Sequence, residues 1–280
     1  MSRPIGFSQR LGRAWRWLVL LVFAAIAVAA CGAAGATRLT ASSPATSSAA
    51  GRYCGHLVIP AYFYSSSIWA QAADSKPAPS DIILDISGIG AGNEPDAHFQ
   101  AVVHQVRAKG ITILGYISTV DGQRPAAQVE TEVRNYKAWY GVTDIFLDRV
   151  SGVEPQAAYY RQLVSYIHRF DAGSSVWLNP GQYPDPSYMS IGDVVMVFEG
   201  TYAQYLSLQV PGWAAKYPAS RFAQTIYATP SSGLSQVFEL AASRRAGHVY
   251  VTDGSGSNPY GGLPSYWSRE DSTASAGCAS

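Results

Sequence analysis

From about Leu57 onward, short apolar runs of four to eight residues alternate with longer stretches in which apolar residues recur at helical spacing. Runs of the first kind read as buried strands, and stretches of the second kind as amphipathic helices. The strands expected on this pattern are Leu57–Tyr64, Asp81–Ile86, Ile111–Ile117, Asp144–Asp148, Ser175–Asn179, Val194–Glu199, Arg221–Tyr227 and His248–Asp253. Between them, Pro95–Lys109, Pro125–Tyr140, Pro155–Phe170 and Leu234–Arg245 read as helices. The first three open on proline, which suits the first helical turn because its missing N–H would have no partner there. Pro186–Ile191 has room for a short helix at most, and Leu263–Arg269 reads as a final short one. Strand and helix in alternation, without hairpin patterns, imply parallel βαβ units. Eight of them in roughly 225 residues predict an α/β fold of the compact (β/α)8 barrel type, with a doubly wound open sheet as the alternative.

Two strands share a form. Asp144-Ile-Phe-Leu-Asp148-Arg149 and Val194-Val-Met-Val-Phe-Glu199-Gly200 are apolar runs that end in one carboxylate and a loop. Ligands gather at the carboxyl ends of parallel strands, so Asp148 and Glu199 are expected to face each other across one cleft.

The N-terminal segment is of another kind. Arg3, Arg10, Arg13 and Arg16 form a basic region, Trp17–Ala30 is an apolar run of 14 residues, and Cys31 follows. That run is short of the ~20 residues a membrane-spanning helix needs and has the layout of a signal peptide. Val28-Ala29-Ala30-Cys31 also resembles a lipobox, in which Cys31 carries the lipid that tethers the protein to the membrane; ordinary cleavage without a lipid is the competing reading. Residues 32–52, rich in Ala, Ser, Thr and Gly, cannot bury enough surface to fold and read as a flexible linker. The expected organisation is therefore a signal peptide over 1–31, a linker over 32–52 and a barrel over 53–280.

Charge and cysteine count refine this. Four of the 20 basic residues lie in the signal, which leaves 16 against 19 acidic ones, a net charge of about −3 for the rest. No basic cluster with interleaved aromatics is present, which argues against nucleic acid as a partner. Cys54 opens the barrel and Cys278 closes it. In an exported protein this pair is expected to form a disulfide, since a closed barrel brings its first and last elements together. The five histidines are scattered without ligand spacing, so no metal or other cofactor is expected. Ser118 and Ser151 lack a nucleophile elbow. The loop Ser87–Asn93 is glycine-rich but has neither the ending of a P-loop nor a dinucleotide spacing.

Several motifs then occur in a recognisable order: Ile59-Pro-Ala-Tyr-Phe-Tyr64, Ser87-Gly-Ile-Gly90, Gly115-Tyr-Ile-Ser-Thr119, Gly122 with Arg124, and Asp144-Ile-Phe-Leu-Asp148. Asn179-Pro-Gly181, Val197-Phe-Glu199 and Asn258-Pro-Tyr260 with Leu263-Pro-Ser-Tyr-Trp267 follow. The ordered set, covering about Leu57 to Trp267, resembles the spherulation-specific family 4, or spherulin-4-like, proteins. The resemblance implies a (β/α)8 barrel related to glycoside hydrolases that cut α-1,4-linked galactosamine or N-acetylgalactosamine polymers. It also implies that Asp148 is the nucleophile and Glu199 the acid/base. One departure stands out: the family commonly has Leu-Asp-Glu at the fourth strand, whereas this chain has Leu147-Asp148-Arg149.

Glycosidic cleavage uses two carboxyl groups on either side of the bond. Sugar sites add aromatic faces and polar edges. Tyr62, Tyr64, Tyr116, Tyr183 and Tyr202, at or just past strand ends, are the candidate aromatic contacts, and Asn179 and Asp253 the candidate partners for sugar hydroxyls. Trp139, Trp177 and Trp267 read as packing. Arg149 has three readings: a structural residue turned away from Asp148, a cation that keeps Asp148 ionised, or a substrate contact. Facing the sugar, it would favour neutral over cationic units. The alternative to an enzyme is a carbohydrate-binding or cell-surface barrel that has lost turnover; a structural envelope protein is a third reading.

Overall fold

A computed structural model describes residues 53–275 and Cys278. Eight parallel strands close into a barrel in sequence order, β1 (His56–Ala61), β2 (Asp81–Leu84), β3 (Thr112–Ser118), β4 (Asp144–Asp148), β5 (Val176–Leu178), β6 (Val194–Thr201), β7 (Phe222–Tyr227) and β8 (His248–Val251), with β8 pairing back onto β1. The helices are α1 (Ser66–Ala73), α2 (Ala97–Arg107), α3 (Ala126–Asn135), α4 (Ala157–Phe170), α5 (Tyr202–Leu206), α6 (Leu234–Ser243) and α7 (Trp267–Ser275). The predicted (β/α)8 barrel is thus the observed fold. The segments read as signal and linker, Cys31 included, lie outside the described residues.

The sequence pattern missed α1 and α5. The first is led by a serine run and holds itself by burying Trp69, whose indole N–H donates to the Phe63 carbonyl at 3.1 Å. The second has only five residues and depends on a capping box between Thr201 and Gln204.

Strands alternate between two faces. Val58, Ile83, Leu114, Tyr116, Phe146, Trp177, Val194, Met196 and Ala223 pack together inside the barrel, a filled core rather than a pore. Their neighbours on each strand, among them Ile59, Ile82, Leu84, Ile113, Ile145, Leu147 and Leu178, face outward under the helices. Continuing the inward series by two residues on each strand places Asp85, Asp148, Asn179 and Thr225 at the carboxyl-end mouth.

The sixth strand breaks the alternation, and the break decides the site. Counting by twos from Met196 would turn Glu199 outward. The β6–β7 register instead runs Met196 with Ala223, Phe198 with Gln224 and Glu199 with Thr225, so a bulge falls at Val197. Val197 packs among Met189, Val195 and Phe222, and Phe198 packs on Tyr205 with ring centroids 5.0 Å apart, so two successive residues face outward. Glu199 is thereby turned into the mouth beside Asp148.

The expected disulfide is present. Cys54 and Cys278 are bonded, joining the approach to β1 to the segment after α7. Of the tryptophans read as packing, Trp177 lies in the barrel interior, Trp267 is buried and Trp139 is half-buried at the helix layer.

Candidate active site

The two carboxylates meet on one amide. Asn179, at the end of β5 and 5% exposed, donates from its Nδ2 to Asp148 Oδ1 at 2.7 Å and to Glu199 Oε2 at 2.7 Å. Its Oδ1 accepts from the Gly181 N–H at 2.9 Å, which fixes the orientation of the amide. The outer oxygen of each carboxylate takes a tyrosine hydroxyl: Tyr116 donates to Asp148 Oδ2 at 2.7 Å, and Tyr260 to Glu199 Oε1 at 3.0 Å. Tyr260 Oη also lies 3.2 Å from Thr225 Oγ1. Tyr62 stands over the group, edge-on to Tyr116 at 5.6 Å and to Tyr260 at 5.4 Å.

Beside this arrangement is a cavity of about 530 Å³ lined by Tyr62, Asp85, Glu199, Tyr227 and the loop Gly256–Tyr260. The loop is tied to the mouth by Asn258, which donates to the Tyr62 carbonyl at 3.1 Å. The carboxylates in its lining are Asp85 and Glu199, with no Lys or Arg; Asp148 stands behind the lining, joined to Glu199 through Asn179. A larger one, about 650 Å³, lies away from the mouth between α4 and residues 189–193, and its single acid, Asp193, is paired with His168 at 3.0 Å.

Burial raises the pKa of both carboxyls. Hydrogen-bond donors oppose that rise at both, and the neighbouring charge acts in opposite senses on the two. Asp148 is opposed by donors from Tyr116, the Arg149 amide and Asn179, and by the Arg149 charge, all of which favour its anion. Glu199 has Asn179 and Tyr260 as donors, but the Asp148 charge adds to its rise. Asp85 is also raised, mainly by burial, while amide donors from Gly88 and Ser87 favour its anion. Tyr62, Tyr116 and Tyr260 are raised by burial and by the adjacent carboxylates, so they stay protonated donors.

Of the predicted site residues, Asp148, Glu199, Tyr62, Tyr116 and Asn179 converge. The role of Asn179 differs from the one expected, because both its amide hydrogens are committed to the carboxylates rather than left for sugar hydroxyls. Tyr183 packs outside the barrel wall, against Trp213 at 5.8 Å and Phe222 at 6.5 Å. Tyr202 donates to Gln236 at 2.5 Å between α5 and α6. Asp253 accepts from the amide and hydroxyl of Ser265 and so closes the base of the 254–265 loop. Tyr64 lies at the rim, stacked on His98 and outside the cavity lining.

Arg149 has a left-handed backbone (φ 49°) and sends its guanidinium away from the cavity to Asp121, at 2.6 Å. Its carbonyl accepts from Thr119 Oγ1 and from the Asp121 N–H, both at 2.8 Å. Val120 and Asp121 also have positive φ values. Backbone strain is thus gathered immediately beside Asp148, as it tends to be at functional sites. This geometry matches the structural and ion-stabilising readings of Arg149 and removes the basis for a sugar-facing cation.

The sequence reading passed over Asp85 and Tyr260. The signal for Asp85 was available: Asp81-Ile-Ile-Leu-Asp85 repeats the form of Asp144-Ile-Phe-Leu-Asp148. Tyr260 lies in a loop, where periodicity carries no information; its one signal is its place in the Asn258-Pro-Tyr260 motif.

Comparison with known proteins agrees with the fold. The chain is 28% identical over 233 residues to Spherulin-4 of Physarum polycephalum, covering 79% of this chain and 70% of that one. The crystal structure of Aspergillus clavatus Sph3 in complex with GalNAc superposes with a TM-score of 0.70 at 21% identity, over 80% of this chain and 98% of that one. The Bacillus cereus spore cortex-lytic enzyme SleL shares the fold more distantly, with a TM-score of 0.53 at 10% identity over 80% of this chain and 75% of that one. The family model for spherulation-specific family 4 matches residues 56–273, the whole barrel, and the chain belongs to that family.

Proposed function

We propose that the protein is a glycoside hydrolase that cleaves an amino-sugar polysaccharide of the α-1,4-galactosaminide or N-acetylgalactosaminide type, with Asp148 as nucleophile and Glu199 as acid/base. The observation that carries this reading is the carboxylate pair joined through Asn179 at the barrel mouth. Asp148 Oδ1 and Glu199 Oε2 each lie 2.7 Å from the same nitrogen, so they are at most about 5.4 Å apart. Retaining glycosidases set their carboxyls ~5–5.5 Å apart and inverting ones ~6.5–9.5 Å, which supports retention. In the first step Glu199 gives its proton to the leaving glycosidic oxygen while Asp148 attacks the anomeric carbon. In the second, Glu199 takes a proton from water, the water oxygen bonds to the anomeric carbon, and the Asp148 ester breaks. The donors to Asp148 from Tyr116, Asn179 and the Arg149 amide favour its anion, and burial favours a proton on Glu199, which fits those roles.

The sugar class rests on the family and on charge. Sph3 is seen with GalNAc bound. Here the lining pairs Asp85 with Glu199 and brings no cation, which suits a unit bearing a free ammonium. Asp85→Asn is expected to weaken cleavage of a de-N-acetylated polymer more than of its acetylated form, read as kcat/KM on the two polymers.

The test of the activity is the appearance of new reducing ends from α-1,4-galactosamine polymers. Asp148→Asn and Glu199→Gln should each lower the rate by at least ~10²-fold, with unchanged circular dichroism. Turnover persisting in both variants would remove the assignment. Arg149, standing where the family commonly has Glu, favours a second reading, a binding protein without turnover; polymer binding without products would favour it. The Cys54–Cys278 bridge fits an exported protein. We read residues 1–31 as the export signal, with Cys31 as the lipid anchor; metabolic labelling with a fatty acid, abolished in Cys31→Ala, tests that.

A further inference from the structure

Tyr64 is the one Phe, Tyr or Trp side chain among the described residues that is more exposed than buried, at 60%. It is nonetheless firmly held. Its ring stacks on His98, with centroids 4.0 Å apart and planes 26° apart, and the edge of Phe99 meets it at 5.4 Å. His98 is fixed in turn. Its backbone is set in the first turn of α2, where Asp96 accepts from the His98 backbone N–H at 2.7 Å, and Ser66 Oγ lies 3.4 Å from the ring Nδ1. Phe99 beneath is buried.

This supported ring stands close to the candidate active site. Tyr64 follows Tyr62, which lines the cavity, by two positions, and two residues of chain span at most ~7 Å. In the adjoining loop after β2, Ile89 is also exposed, at 41%. A large aromatic ring kept in water by stacking from behind is preorganised to receive a flat apolar surface at little entropic loss. Pyranose C–H faces are such surfaces, and the cavity beside it is the proposed site of glycosidic cleavage.

We propose that the outer face of Tyr64 is a sugar subsite next to the cavity, binding a ring of the polysaccharide one or more units away from the bond that is cut. This rests on the reading of the site as a glycosidase. It implies that the protein engages a chain through several units rather than a terminal sugar alone. Tyr62 and Tyr64 then have separate tasks, the first at the reacting unit and the second along the chain.

The test uses Glu199→Gln protein, so that ligand is not consumed, and calorimetric titration with α-1,4-linked galactosamine disaccharide and hexasaccharide. Adding Tyr64→Ala should weaken hexasaccharide binding roughly three- to tenfold and change disaccharide binding little, while Tyr64→Phe should retain the affinity of the parent. Unchanged hexasaccharide binding in Tyr64→Ala would overturn the subsite and leave the glycosidase reading standing. An equal loss on both oligosaccharides would also overturn it, by assigning Tyr64 to the inner site. If the Glu199→Gln parent binds neither ligand, the subsite and the proposed substrate class fall together.

Discussion

Asn179 is the residue through which the candidate site is built, because one buried amide hydrogen-bonds both carboxylates. Its donors favour both anions, so Asn179→Ala should raise both pKa values further. Asp148 must be ionised and Glu199 protonated for the first step, so both limbs of the pH–rate profile should move to higher pH. A hydrogen bond to a charged group is worth ~1.5–3 kcal/mol, which predicts a fall in kcat of roughly 10- to 100-fold. A profile displaced on one limb only would contradict the shared role. Glu199 makes a second prediction, on stability. Its folded pKa is raised, so the folded protein holds the proton more tightly than the unfolded chain does. Stability therefore falls as pH rises from the ordinary carboxyl range through the raised value, and the destabilisation is fully present above it. Glu199→Gln removes that effect, so its Tm should exceed the parent's at neutral pH. The difference should fade below roughly pH 4. Asp148 and Glu199 were legible as single carboxylates ending apolar strands, and Asp85 could have been read the same way. The use of Asn179 could not, since the partner of an amide is set by the fold.

At the scale of the element, β6 does what its sequence does not announce. Val194-Val-Met-Val-Phe-Glu199 is apolar at every position before the acid, so it carries no alternation from which to count a face. The bulge at Val197 turns Glu199 inward, and only the pairing with β7 reveals it. The ends of β2 and β3 are secured in another way. Tyr136, fully buried just beyond α3, donates to the Leu84 carbonyl at 3.1 Å and the Tyr116 carbonyl at 2.9 Å, directly below Asp85 and Tyr116. Its ring lies against Gly115, where a Cβ would come within 2.8 Å of ring carbon. Gly115→Ala should therefore cost about 1–3 kcal/mol and lower Tm by ~2–4 °C for each of those, measured by calorimetry. A Tm equal to the parent's would show that Tyr136 can shift without loss.

At the scale of the whole molecule, closure of the barrel brings β8 onto β1, and the Cys54–Cys278 bond joins the chain across a sequence separation of 224. A cross-link over so long a loop restricts the unfolded chain strongly, and removal of such a bridge typically costs ~2–5 kcal/mol. Reduction should add the mass of two hydrogens and lower Tm, whereas a Cys54→Ser/Cys278→Ser variant should be insensitive to reductant. Closure also explains why residues as far apart in the chain as Tyr62 and Tyr260 touch: the first and last connections of a barrel are neighbours.

The sequence by itself determined the eight strands, most of the helices, the barrel and the two carboxylates, because burial on a strand and on a helix imposes different periods that can be read locally. The ordered motifs determined the family. Tertiary structure alone decided which tyrosines reach the mouth, that Asn179 serves the carboxylates rather than a sugar, that Arg149 turns to Asp121, and that a bulge brings Glu199 to Asp148. Those outcomes depend on register, on loop path and on which side chain lies opposite, and none of these is encoded within a few residues of the position it governs.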